Sequence, residues 1–353
     1  MNGDFTTAED LIRHPGDYVR VSGREIRRIV TLRTSGSTGA AKRLFFTEGD
    51  LGRTVRFFSG GMAPFTRPGD KAAVLIGSEA PDGLGRLVEA AYLALDAQPT
   101  LFGAVKEYDA AARALTALGP DTLVGLPAQV RRLALMCPAL RPHSVLLSGD
   151  YIAESLRATV ARLWQTTVYA HYGLTESGLG LAVECPAQRG YHIRADALAV
   201  EIVDPATGAP LPEGRWGEVV FTTLKQEAMP LRRYRTGDIS RLLPGPCPCG
   251  DQSPRLDRVL GRQAELCKPV SIYALDELLL GRDQLLDYQA ALNGNTLTVT
   301  VQLAPAAGPE ALKKTEKLLT GAFPQFTVCV LVGQVAPTAA KRAVALEVMN
   351  HEE

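Results

Sequence analysis

Between residues 70 and 164 short apolar runs alternate with amphipathic stretches, and this alternation constrains the fold more than any other feature of the chain. The runs at 72–76, 122–124 and 145–147 have strand length, whereas 84–95, 128–136 and 152–164 carry apolar residues at helical spacing. A helix between two strands lets them run parallel, so this part is expected to be α/β with a largely parallel sheet. At 353 residues with 46% hydrophobic and 22% charged, the chain is large enough for about two domains and a sizeable core.

On either side the pattern changes. A β-branched run at 26–32 leads into a loop of small residues, Thr34-Ser-Gly-Ser-Thr-Gly39, with Lys42 close behind. From about 191 to 262 short strands at 199–203 and 217–223 are separated by turns rich in proline and glycine, which predicts a β-rich subdomain. Beyond Gly261 and Arg262 a strand at 296–303, a helix at 309–319 and a strand at 327–332 predict a small α+β domain over 263–353. The expected division is therefore 1–262 and 263–353.

The 38 basic and 38 acidic residues balance, so no overall field draws the chain to nucleic acid or to an anionic membrane surface. No apolar run approaches the roughly 18 residues of a bilayer span. The first ten residues are acidic and do not read as a secretory leader, so a cytoplasmic setting is expected. Six cysteines are too few for a disulfide scaffold of this length, and in a reducing compartment clustered cysteines point to metal.

Three short polar motifs stand where strands end. The loop at 34–39 with Lys42 gathers backbone N–H groups, hydroxyls and a cation, which suits a polyphosphate, although no Gly-Lys-Ser/Thr closes it and a plain turn has the same composition. Tyr172-Gly-Leu-Thr-Glu176 follows an expected strand at 167–170. There Glu176 can hold Mg²⁺ and Thr175 a phosphate oxygen, or both can serve as ordinary caps. In Tyr234-Arg-Thr-Gly-Asp238 the carboxylate of Asp238 can accept both hydroxyls of a ribose, or close a turn. Cys185 with His192 and Cys247 with Cys249 form two further pairs; three thiolates with one imidazole suit tetrahedral Zn²⁺, although the spacing is looser than a zinc finger's and chance surface cysteines read the same way. Cys137, Cys267 and Cys329 read as buried small hydrophobes, and His143 and His171 as packed neutral histidines.

In this order, and joined by Ser148-Gly-Asp150, Glu184-Cys185, Gly190-Tyr-His192, Met229-Pro-Leu-Arg-Arg-Tyr and Cys247-Pro-Cys-Gly250, the motifs resemble those of the adenylate-forming superfamily, most closely the phenylacetate-CoA ligase family. The likeness is dense over 144–262 and thins on both sides. It implies an ATP-dependent ligase that activates an aromatic or other small carboxylic acid as an acyl-adenylate and transfers it to coenzyme A. It implies that Ser35, Ser37, Thr38 and Lys42 cover the β- and γ-phosphates. Ser148, Gly149 and Asp150 then lie beside the adenine, with Asp150 where the family has Glu, and Tyr172 and Gly173 line the adenine and acyl site. Thr175 touches the α-phosphate, Glu176 holds Mg²⁺, and Asp238 holds the ribose with help from Arg258. Some members of the family carry a structural zinc at the positions of Cys185, His192, Cys247 and Cys249.

Three departures bear on activity. The phosphate loop begins at Thr34, nearer the start of the sequence than is usual in the family, and part of the acyl pocket is expected to differ. The hinge pattern becomes Gly261-Arg-Gln-Ala-Glu265, with Ala264 in place of the first hinge carboxylate. The family's C-terminal lysine aligns with Ala339, which leaves Lys341 as the candidate replacement. Two alternatives stay open at this point: an adenylating ligase that delivers the acyl group to an amine, hydroxyl or carrier protein, and a degenerate nucleotide-binding protein. Nothing in the sequence reports assembly, and a homodimer is expected only because dimers are the commonest closed oligomers.

Overall fold

The computed structural model describes residues 5–33, 41–336 and 341–346, so Ser35, Ser37, Thr38 and Ala339 lie outside the described residues. Two compact units emerge from the contacts. One comprises the chain through 103 together with 169–263, the other 104–168 together with 264 onward.

In the first unit the strands Arg28–Arg33 and Ala41–Phe46 form an antiparallel hairpin, with Arg28 opposite Phe46 and Arg33 opposite Ala41. The helix Glu48–Met62 follows and buries Leu51, Thr54, Phe58 and Met62. It escaped the sequence reading because it holds four glycines, each a poor helix former. The surroundings explain two of them. A Cβ at Gly61 would lie 2.7 Å from a Val183 methyl and one at Gly49 2.6 Å from the Glu227 carboxylate. Close approach thus overrides propensity here.

The expected strand and helix are present as Lys71–Leu75 and Leu84–Leu93, and a further strand that the sequence pattern did not mark, Gln98–Leu101, runs parallel to the first. The strands Thr167–Tyr172, Ala182–Glu184, Tyr191–Ile193, Arg255–Leu256 and Leu242–Leu243 pair antiparallel in that order. A separate four-stranded antiparallel sheet runs Leu198–Val203, Gly217–Thr223, Tyr234–Ser240, Gly261–Arg262. This is the β-rich texture expected after Tyr191.

In the second unit the parallel strands Thr122–Gly125 and Ser144–Leu147 are accompanied by the helices Tyr108–Leu118, Pro127–Met136 and Glu154–Trp164. The C-terminal part adds the helix Ile272–Leu279 and an antiparallel hairpin, Leu285–Asn293 with Thr296–Leu303. Thr327–Val332 lies parallel to one edge of that hairpin, and Ala345–Leu346 parallel to the other. The helix Pro309–Ala322 joins the second and third strands. Buried Arg131 ties the two parts of this unit, donating to the carbonyls of Arg282 at 2.6 Å and Leu286 at 3.0 Å. Burial lowers its pKa to about 10, which still leaves it charged at neutral pH.

Of the three cysteines expected to be buried, only Cys137 is; Cys267 and Cys329 are exposed. Cys329 alternates outward on the edge strand Thr327–Val332. Among the described residues no helix is long and apolar enough to cross a membrane.

Candidate active site and metal centre

Strand Thr167–Tyr172 ends in a tight passage. A Cβ at Gly173 would lie 2.9 Å from the Gly180 Cα and from the Leu179 carbonyl, so only glycine lets the chain return this closely. A short 3₁₀ turn, Thr175–Ser177, follows. Ser177 holds that turn by accepting the Leu174 N–H at 3.2 Å and donating to the Leu174 carbonyl at 2.9 Å. Glu176 is thereby fixed in the interior with a side chain only 5% exposed.

The Glu176 carboxylate does not stand alone. Lys42 arrives from the strand Ala41–Phe46 and pairs with it directly. The Tyr234 hydroxyl donates to the same Oε1 at 2.8 Å, and Lys42 Nζ lies 3.3 Å from that hydroxyl. Burial alone would raise the Glu176 pKa, but the Lys42 charge and these donors outweigh it and hold the carboxyl below its usual range. The Tyr234 phenol is pushed up by burial and by the adjacent carboxylate, so it stays a proton donor. Sequence reasoning quoted Tyr234 within its motif without giving it this place. Its position one pleat out of phase with Arg235, and so facing the interior of its strand, was the available clue.

Four residues along that strand, Asp238 accepts the Tyr172 hydroxyl at 2.8 Å, and its own N–H is held by Thr236 Oγ1 at 3.0 Å. Arg262 Nε lies 3.7 Å from Asp238 Oδ1. Arg258, expected beside the ribose, is exposed, with its backbone N–H on the Asp257 carboxylate at 2.7 Å. Lys42, Tyr172, Gly173, Thr175, Glu176, Asp238 and Arg258 therefore all belong to the first unit.

Ser148, Gly149, Asp150 and Lys341 belong to the second. Gly149 has φ +91°, and a Cβ there would lie 2.8 Å from a Leu126 methyl, so the turn after strand Ser144–Leu147 requires glycine on both counts. Asp150 accepts the N–H groups of Tyr151 at 2.8 Å and Arg342 at 3.3 Å. Burial raises its pKa, and the nearby charges of Lys341 and Arg342 oppose that rise.

The four expected metal ligands come together in the first unit. The antiparallel register that sets Val183 opposite His192 and Glu184 opposite Tyr191 brings Cys185 and His192 to neighbouring strands. Cys247 and Cys249 reach them from the loop after Leu242–Leu243. Arg255 fixes that loop by donating to the carbonyls of Gly245 at 2.9 Å and Pro246 at 3.2 Å, and joins it to the turn before Tyr191 through the Arg189 carbonyl at 2.5 Å. The ligand atoms of all four residues lie within 4.8 Å of one another. Cys185 Sγ is 3.6 Å from Cys247 Sγ, and Cys249 Sγ is 3.4 Å from His192 Nε2. A tetrahedron with Zn–S bonds of about 2.3 Å has edges of about 3.8 Å, so the donor set fits zinc in chemistry and spacing. His192 Nδ1 faces the Asp251 carboxylate at 3.7 Å, the orientation that outer carboxylates commonly give a ligating imidazole.

The model of the AMP-binding enzyme family matches residues 29–224. A phenylacetate-coenzyme A ligase of Pseudomonas putida is 30% identical over 340 residues, spanning 89% of this chain and 74% of that protein. The chain belongs to the AMP-binding enzyme family. Within it the relatives are phenylacetate-CoA ligases: the Thermus thermophilus protein of that name is 37% identical over 158 residues, 44% of this chain and 36% of its own length. In fold the chain is similar to a 2-hydroxyisobutyryl-CoA ligase solved with its acyl-adenylate, with a TM-score of 0.79, 20% identity, and coverage of 97% of this chain and 78% of that one. The α/β architecture inferred from strand and helix alternation is thus that of AMP-binding enzymes.

Proposed function

We propose that this chain is an AMP-forming ligase that activates a small, aromatic carboxylic acid with ATP and passes the acyl group to coenzyme A. The observation that carries this reading is the buried assembly of Lys42, Glu176 and Tyr234 beside Tyr172 and Asp238, in a chain whose relatives are phenylacetate-CoA ligases.

The acid is ionised at neutral pH and needs no base. One of its oxygens attacks the α-phosphorus of ATP, the bond to the bridging oxygen breaks, and pyrophosphate leaves. The thiol of coenzyme A then adds to the acyl carbonyl, loses its proton, and expels AMP. In the first step charge must be held on non-bridging oxygens and on the leaving group, which is work for positioned cations and dipoles. In this reading Ser35, Ser37, Thr38 and Lys42 take the β- and γ-phosphates, Thr175 the α-phosphate, and Asp238 the ribose with Arg258. Ser148, Gly149 and Asp150 flank the adenine, Tyr172 and Gly173 line the acyl side, and Lys341 supplies the remaining cation.

Glu176 offers a divalent cation an ionised, buried oxygen donor, for which the ion would compete with Lys42. Mg²⁺ bound there would neutralise phosphate charge. Zn²⁺ on Cys185, His192, Cys247 and Cys249 would be closed to substrate and would hold two loops together. The adenylation domain corresponds in this reading to 1–262 and the small C-terminal domain to 263–353. A cytoplasmic setting and a homodimer are the location and assembly to test first.

The test is pyrophosphate release from ATP across a panel of aryl and short-chain carboxylates, with and without coenzyme A. Release that requires an aromatic acid, with an acyl-CoA identified by mass spectrometry, is expected. No release with any acid of the panel, alongside measurable ATP binding, sinks the reading. Products formed only with amines, hydroxyls or a carrier thiol replace its second half.

A further inference from the structure

Arg342 is the most heavily anchored residue of the described stretch 341–346. Its side chain is only 10% exposed. The guanidinium donates to Asp287 Oδ1 at 2.6 Å and to the Tyr288 carbonyl at 3.1 Å. Its Nε lies 3.2 Å from Asp276 Oδ1, and the group sits 4.4 Å from the centre of the Tyr288 ring. Asp276 is itself held by the Tyr288 hydroxyl at 2.6 Å. One guanidinium thus joins the helix Ile272–Leu279, the strand Leu285–Asn293 and the segment that carries it.

The backbone of the same residue adds a fifth contact, with its N–H on Asp150. Side chains of Tyr108, Gln129, Asp150, Asp287 and Arg342 line a small cavity at this place. Lys341 is exposed and directly precedes Arg342, so its carbonyl carbon is bonded to the very nitrogen whose N–H Asp150 accepts. A buried ion pair seldom adds net stability over apolar packing, so such a cluster is better understood as fixing where a segment sits. What it fixes here is the main chain on which Lys341 is carried. Position 339 is alanine and brings no charge.

We propose that Arg342 is a positioning residue for adenylation: its anchorage to Asp276, Asp287, Tyr288 and Asp150 presents Lys341 at the Asp150 cavity, where Lys341 neutralises charge that residue 339 does not. The proposal rests on the ligase reading. It requires Arg342 to matter for formation of the acyl-adenylate and not for its consumption.

The two half-reactions separate these roles. ATP–pyrophosphate exchange with phenylacetate reports adenylation, and single-turnover transfer from synthetic phenylacetyl-AMP to coenzyme A reports the second step. The variants are Arg342→Lys, which keeps the charge and loses the fork, and Asp287→Asn, which keeps an acceptor for Arg342 and a neutral isostere in the interior. Thermal melts establish that each is folded. In both, kcat for exchange is expected to fall at least about tenfold while KM for ATP and the transfer rate stay within about threefold of the parent. Lys341→Met is expected to lower exchange at least as far. Exchange retained by a folded Asp287→Asn or by Lys341→Met overturns the proposal, as does transfer that falls in step with exchange. A parent protein that exchanges with no carboxylate overturns the ligase reading itself, and this outcome is distinct because it appears before any variant is made.

Discussion

Lys42 and Glu176 illustrate how one buried pair constrains a site. With side chains 10% and 5% exposed, neither charge has enough water to stand alone, and removing one partner from such a pair costs about 3–5 kcal/mol. Glu176→Gln keeps the shape and the bond to Tyr234 but removes the carboxylate, so we expect a folded protein whose pyrophosphate exchange falls by about 100-fold; an unchanged rate places the cation site elsewhere. His171 yields a prediction of a different kind. It is buried against the rings of Phe57 and Phe58, at 5.9 and 5.4 Å, and burial pushes its pKa down to about 4. An unfolded histidine titrates near 6.5, so between these values the unfolded chain binds the extra proton and the native one does not. Stability from this residue is therefore present above about pH 6.5 and lost as the pH falls toward 4, by up to about 3 kcal/mol. Urea melts at pH 7 and pH 5 measure the loss, and His171→Gln should flatten the difference.

Single elements here depend on one or two side chains. The glycine-rich helix Glu48–Met62 is started by a capping box in which Asp50 Oδ2 accepts the Thr47 N–H at 3.0 Å. The same carboxylate accepts the N–H groups of Glu227 at 2.8 Å and Ala228 at 3.0 Å, and pairs with Arg53 at 2.6 Å. Asp50→Ala leaves these donors without an acceptor in the interior and is expected to cost about 3 kcal/mol in denaturant unfolding, with Asp50→Asn losing less. A cost below about 1 kcal/mol contradicts the arrangement. The cysteine and histidine loops make the parallel case for a metal. Protein purified without added metal should contain about one zinc per chain by elemental analysis, and Cys247→Ser should lose it and unfold at lower temperature. No zinc, with no change in melting under strong chelator, removes the site.

At the scale of the molecule, the proposed chemistry is divided between the two compact units. Lys42, Glu176, Tyr172 and Asp238 lie in the unit formed by the chain through 103 and 169–263, and Asp150, Arg342 and Lys341 in the other. Substitutions in the two should therefore differ in kind. Asp238→Ala removes the proposed ribose acceptor and should raise KM for ATP by about tenfold or more, whereas the Arg342 variants should act on kcat. If Asp238→Ala leaves KM for ATP unchanged, the nucleotide is held by other groups.

The sequence by itself determined the α/β alternation over 70–164, the β-rich change after Tyr191, and the residue types at each motif. Periodicity and turn chemistry are local properties, and the Tyr172–Glu176, Tyr234–Asp238 and cysteine motifs are each a few residues long. What only the tertiary structure decided is which of these side chains meet. Lys42 and Glu176 are 134 positions apart, Cys185 and Cys247 62 apart, and Asp150 and Arg342 192 apart. No local pattern encodes such distances. The helix Glu48–Met62 was hidden for the same reason, since two of its four glycines, Gly61 and Gly49, answer to Val183 and Glu227 rather than to helix propensity. The anchorage of Arg342 was equally invisible, because its partners come from a helix, a strand and a turn, and only their packing brings three carboxylates to one guanidinium and its N–H.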